Sequence, residues 1–365
     1  MNPLVRLGTL GQSPWYDFIT RDLLDSGALV RLITDDGLLG MTSNPTIFEK
    51  AVAGSALYDG DIRTAAREGL TPAAITERLM VADVRTACDQ FRAVYDRTEG
   101  RDGFVSLEVS PDLAHRTEET LAEATRLWAA VDRPNAMIKI PGTAAGLGAI
   151  EAALARGINI NVTLLFSVTR YESVLGAWLA GLEQRHARGE PVDRIASVAS
   201  FFVSRVDTMV DAQIEAQGLP DALRGTAAIA NAANAYASFE RMVASTRWRD
   251  LAAAGARVQR PLWASTSTKD PAYPDTYYVE ALIGRDTVDT LPPATFDAYR
   301  DHGNPALRLP GAVERAPEQL AVLSSHGIDL ERVAAALEKA GVESFAASYH
   351  SLVAGVETKA STLVS

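Results

Sequence analysis

A lysine stands inside an apolar run, Ala136-Met137-Ile138-Lys139-Ile140-Pro141. Period-two alternation sends Met137 and Lys139 to the same side, and a strand buried on both faces offers the amine no easy route to water. Burial disfavours the charged form of an amine, so more of it stays free to attack a carbonyl carbon, which is the physical basis of Schiff-base lysines. A lysine paired with a carboxylate inside a core satisfies the same pattern. This run alone leaves both readings open.

Other polar groups close or interrupt apolar runs. Phe104-Val105-Ser106-Leu107-Glu108 ends in a carboxylate, and Asp17 lies in a weaker run near the start of the chain. Aldol chemistry through a Schiff base needs proton transfers at several steps, and two carboxylates with a positioned water can serve them. Taken singly, either carboxylate also fits a strand-end or helix-capping role. Asn159, Asn161 and Thr163 alternate along Ile158 to Leu164, so they share one face and need polar partners, either one another or sugar hydroxyls. Ser200 lies near the end of the run Ile195 to Phe202, and Arg205 just past it. Ser265 and Lys269 follow the run Pro261 to Ser265. Such hydroxyl-rich, basic loops suit a phosphate. In Asn44-Pro45 the asparagine fits a helix N-cap and the proline the first helical turn.

These groups need strands to aim them. Apolar runs at Trp15–Ile19, Leu38–Ser43, Phe104–Glu108, Ala136–Ile140, Ile158–Leu164, Ile195–Phe202, Pro261–Ser265 and Thr287–Leu291 alternate with helical spacing. Eight β/α units predict an α/β fold, a single (β/α)8 TIM-type barrel, over an open doubly wound sheet, which gives a similar alternation. Residues of about 48–97 carry too much helical pattern for one crossover and read as an insertion of several helices. Ala222 to Ala254 is similarly rich, and from about 311 to 365 the chain reads as a C-terminal helical extension. Without repeats, low-complexity tracts or a Pro/Gly/Ser linker, residues 1–365 read as one domain.

Composition narrows the partners. Asp and Glu number 46 against 35 Lys and Arg, a formal charge of −11, which repels nucleic acid and anionic lipid and makes any anion site a local basic pocket. The single cysteine, Cys88, lies in a helical stretch from Glu77 to Val94 and reads as packed and inert. His115, His186, His302, His326 and His350 are scattered, so no metal site is predicted. Gly142 to Gly148 matches neither a dinucleotide fingerprint nor a P-loop and reads as a helix start, so no cofactor is predicted. Neither a leader pattern nor a membrane-length apolar stretch is found, which predicts a cytoplasmic location.

Over most of its length the sequence resembles the longer transaldolases, class I aldolases on a circularly permuted barrel. The resemblance rests on Gly11-Gln12-Ser13-Pro14-Trp15-Tyr16-Asp17, Thr42-Ser43-Asn44-Pro45, Ser106-Leu107-Glu108-Val109, Ile138-Lys139-Ile140-Pro141-Gly142-Thr143 and Asn161-Val162-Thr163-Leu164-Leu165-Phe166. It implies that Lys139 forms the Schiff base, that Asp17 handles the hydroxyl proton at the breaking carbon bond, and that Glu108 with Thr163 holds a water. It further implies that Asn44, Asn161 and Ser200 bind donor hydroxyls and that Arg205 and Ser265 bind phosphate. Many members carry an arginine two residues after that serine; here Ser267 takes the place, with Lys269 two positions on. The implied activity moves a dihydroxyacetone unit between sugar phosphates, by a monomer or homodimer. An aldolase that releases free dihydroxyacetone and a noncatalytic sugar-phosphate-binding barrel are the competing expectations.

Overall fold

The computed structural model describes residues 2–364, and in it eight parallel strands close into a barrel in chain order. They are β1 (Gln12–Asp17), β2 (Gly40–Thr42), β3 (Phe104–Glu108), β4 (Ala136–Pro141), β5 (Ile160–Leu165), β6 (Ser197–Phe202), β7 (Arg260–Ala264) and β8 (Thr287–Leu291). β1 pairs with both β2 and β8, which leaves no open edge. Helices cover the outside, so nearly every strand residue is buried and the strands carry apolar runs rather than simple alternation.

The first strand departs from its predicted span of Trp15–Ile19. It begins at Gln12 and ends at Asp17. Gln12 and Ser13 are polar yet buried because they find partners: the Gln12 amide donates to the Leu282 carbonyl at 2.8 Å, and Ser13 Oγ to Asp102 at 3.0 Å. Trp15 then lies against Gly40 on β2, where a Cβ would come within 2.4 Å of the indole. A glycine lets these two strands approach over a large ring.

The expected helical insertion is built from Pro45–Ala53, Asp59–Arg67 and the 26-residue helix Pro72–Arg97. Two of these starts follow the cap logic of the sequence. Asn44 Oδ1 accepts from the Ile47 amide at 3.0 Å ahead of Pro45, and Thr71 does the same for Ala74 ahead of Pro72. Cys88 is fully buried in the long helix, with its thiol pKa pushed up by desolvation.

After β8 the chain forms Pro293–His302, Leu309–Ser325 and a final 35-residue helix, Leu330–Val364. That last helix crosses the carboxyl ends of the strands. Among the described residues no helix is long and apolar enough to cross a membrane.

Candidate active site

Inside the barrel, β3 and β4 run in register with Glu108 beside Lys139. Both are almost fully buried, at 5 % and 4 % exposure, and Lys139 Nζ lies 3.4 Å from Glu108 Oε2. The amine also donates to the Ser43 carbonyl, 3.2 Å away at the end of β2. Neither Glu108 oxygen has a hydrogen-bond partner among the described residues. Desolvation pushes the Glu108 carboxyl up to about 7, against the opposing pull of Lys139. A carboxyl poised there can both give and take a proton near neutral pH.

Asp17, the last residue of β1, receives a 2.7 Å hydrogen bond from Thr42 on β2, whose hydroxyl also lies 2.6 Å from that of Thr290 on β8. Desolvation raises the Asp17 carboxyl, while the charges of Lys139 and Arg205 and the Thr42 bond pull it down. Lys139, Glu108 and Asp17 are thus gathered at the carboxyl end of the barrel, where barrel enzymes place their chemistry.

A polar layer adjoins these groups, with Asn161 on β5 in register beside Lys139 on β4. Ser200 Oγ on β6 donates to Asn161 Oδ1 at 2.7 Å, and Asn161 Nδ2 donates to Ser106 Oγ on β3 at 3.0 Å. Strands β3 and β5 are separated by β4, so these side chains meet only in the interior. Asn159 does not join them: its amide donates to the carbonyls of Pro134 and Ala136, and its oxygen accepts from Ala196. Of the three alternating polar residues, it is spent on backbone and leaves no group for a sugar.

Thr163 sits where β5 departs from regular pairing. The register with β6 shifts between Val162 and Leu165, and Leu164 takes a left-handed conformation with φ of 57°. Such a bulge re-aims a neighbouring side chain, as bulges beside active sites do. Thr163 Oγ1 is buried without a partner among the described residues.

On the other side, Arg205 stacks over the Phe202 ring at 5.3 Å. Lys269 Nζ donates to Ser267 Oγ at 2.8 Å. Among the described residues neither cation has a carboxylate within ion-pair distance. Arg205 holds the exposed Lys269 below its ordinary pKa, together with desolvation, which is the larger cause. Two adjacent cations without an ion-paired carboxylate make a site for an anion. Ser265, with φ of 57°, exchanges contacts with Ser204: the Ser204 amide donates to its carbonyl and the two hydroxyls lie 3.0 Å apart, which joins the loops after β6 and β7. The loop carrying Lys269 is further held by Thr266 to Asp289 at 2.9 Å, Tyr273 to Asp211 at 2.7 Å and Arg224 to Asp270 at 2.8 Å.

Asn44 lies on the opposite flank, and its oxygen is occupied as the helix cap. Sequence reasoning gave no individual role to Thr42, Ser43, Ser106 or Thr290, which orient the named groups. Thr42 and Ser43 stand within a quoted motif, and Ser106 alternates with Glu108. Thr290 carries no such signal.

A closed β/α barrel with a buried amine flanked by two carboxylates, and a pair of unpaired cations nearby, defines an enzyme that handles anionic carbonyl compounds. A family profile described as Transaldolase/Fructose-6-phosphate aldolase matches residues 14–356, and the chain belongs to that family. Relatives of nearly the same length include a protein named Transaldolase from Acidothermus cellulolyticus, 50 % identical, with 97 % of this chain and 96 % of the relative covered. Another, from Parafrankia sp., is 49 % identical with 96 % of each covered. A protein named Transaldolase 2 from a Nostoc species is 46 % identical over 100 % of this chain and 99 % of its own.

Proposed function

We propose that the chain is a transaldolase, a transferase that carries a dihydroxyacetone unit from sedoheptulose 7-phosphate to glyceraldehyde 3-phosphate through a Schiff base on Lys139. The observation that carries this reading is Lys139 Nζ, buried and 3.4 Å from the Glu108 carboxyl, which burial pushes up to about 7. The full-length relatives named transaldolase support transfer over simple release and over noncatalytic binding.

In this reading the Lys139 amine adds to the donor ketone, and the carbinolamine loses water with a proton from Glu108, leaving an iminium. The electron pair of the adjacent carbon–carbon bond flows into the iminium as Asp17 takes the proton of the hydroxyl on the carbon that becomes the aldehyde. The resulting enamine attacks the acceptor aldehyde, and Asp17 returns its proton to the new alkoxide. A water held by Glu108 and Thr163 adds to the iminium carbon, and expulsion of the amine frees the product ketose. Asn44, Asn161 and Ser200 bind donor hydroxyls, while Arg205, Ser265 and Lys269 bind the phosphate. Lysine in place of a guanidinium fork gives that contact a point charge rather than a bidentate one.

The terminal helix packs across the barrel mouth, which supports reading residues 1–365 as one domain. Borohydride reduction in the presence of fructose 6-phosphate should add a stable adduct at Lys139, located by mass spectrometry of peptides. Turnover without any adduct, or an adduct elsewhere, would sink the scheme.

A further inference from the structure

The helix Leu330–Val364 is fastened across the carboxyl face at successive points. Glu331 accepts from Ser167 at 2.7 Å just beyond β5, and Gly341 lies over Leu164, whose Cδ2 would stand 2.9 Å from an added Cβ. Ser348 then meets Thr46 at 2.8 Å beside β2, and His350 meets Asp112 at 3.0 Å beyond β3. From residue 331 to 350 the helix covers roughly 28 Å at 1.5 Å per residue. Midway along it, the ring of Phe345, itself 3 % exposed, sits 5.8 Å from Lys139 Nζ. Tyr349, one turn on, instead lines a flanking groove with Glu77, Glu123 and Arg126. Toward the cation side, the same helix places Leu337 on a groove of about 670 Å³ shared with Arg205 and Lys269.

We infer that Phe345, held by this helix, sets the balance between transfer and release by keeping water away from the enamine; the inference rests on the Schiff-base reading above. The enamine has two fates. It adds to an acceptor aldehyde, whose oxygen takes up a proton. Otherwise its nucleophilic carbon is protonated by water, a second water adds to the regenerated iminium, and the Lys139 amine leaves free dihydroxyacetone behind. Both fates end in hydrolysis of an iminium, so the step that separates them is protonation of the enamine carbon. A hydrocarbon ring beside Nζ has no proton to give and occupies space that water would fill.

The test compares glyceraldehyde 3-phosphate formation from fructose 6-phosphate with and without erythrose 4-phosphate as acceptor. Phe345→Ala should raise the ratio of acceptor-independent release to transfer by roughly tenfold, a partition that mere loss of stability does not move. Phe345→Leu, which keeps an apolar filler, should stay near the parental ratio. Gly341→Leu should raise the ratio without touching the reacting atoms, because a branched side chain there needs more room than a shift of the Leu164 methyl supplies and must displace the helix, and it stands in if Phe345→Ala does not fold. An unchanged ratio in whichever of these two variants folds, or a rise in Phe345→Leu as large as in Phe345→Ala, overturns the inference. A parent protein that forms no borohydride adduct at Lys139 would instead overturn the underlying reading.

Discussion

At the amino-terminal end of the barrel, Arg260 lies 2.8 Å from Asp102, and the two are only 5 % and 3 % exposed. Every oxygen of that carboxylate is used: Oδ1 accepts from Arg260 and Trp15, and Oδ2 from Ser13, while Arg260 also donates to Ser13 and the Arg101 carbonyl. At the other end, Lys139 and Glu108 are equally buried, yet they stand 3.4 Å apart and Glu108 has no hydrogen-bond partner among the described residues. Two ion pairs of similar burial are thus built for opposite purposes. The saturated one closes the floor of the barrel and has no free valence for chemistry. The unsaturated one keeps a proton exchangeable, at the expense of the hydrogen bonds that would have made it rigid.

The largest expected effect falls on the floor. Arg260→Met strands the Asp102 charge and should destabilise the fold by about 3–5 kcal/mol, while the activity of the remaining folded molecules stays within about twofold of the parent. Urea unfolding beside active-site titration with borohydride checks both halves. A matching loss of turnover per folded molecule would erase the distinction between the two ends. Glu108→Gln should show the reverse pattern, with kcat down by roughly 10²–10³ and a urea midpoint close to the parental one at neutral pH.

The pH dependence of stability sharpens the contrast. Burial raises the Glu108 carboxyl from 4.5 to about 7, so the folded state binds the proton more tightly than the unfolded chain does. Its contribution is therefore fully present below pH 4.5 and is lost as pH climbs through 7. Asp207, raised to about 7, and Asp289, raised to about 8, slope the same way. For that reason the measurement is the parental unfolding curve minus that of Glu108→Gln, taken from pH 4 to 8. A flat difference would mean that burial does not shift the Glu108 carboxyl between the folded and unfolded states.

The smallest effect lies at the rim. Lys269→Met should raise KM for a phosphorylated donor about tenfold with little change in kcat, since an exposed cation contributes binding shared by ground state and transition state. Steady-state kinetics at two salt concentrations would read it. A fall in kcat with KM unchanged would move Lys269 from phosphate binding into the chemistry.

The barrel was legible because parallel strands buried on both faces carry continuous apolar runs, and the site because polar residues interrupt those runs. Lys139 and Glu108 stand out on that ground alone. The floor network did not, since Ser13, Asp102 and Arg260 are separated by up to 247 positions and only the strand register brings them together. The same ignorance of partners displaced the start of β1, where buried Gln12 and Ser13 look too polar for a strand. Asn159 misled in the opposite sense, because alternation tells which side a residue faces and not whether backbone carbonyls already claim it. The length and apolar face of the last helix suggested that it covers the barrel mouth with Phe345 or Tyr349 near the substrate; the structure puts Phe345 beside the amine and Tyr349 in a flanking groove.

The burial of Cys88 also bears on how this chain can be handled. Its only thiol is sealed inside the longest inserted helix and resists ionisation, which is the form that alkylating reagents attack. A cysteine engineered onto the surface would therefore be the single reactive one, so a fluorophore could be attached at one chosen place without first removing the native residue.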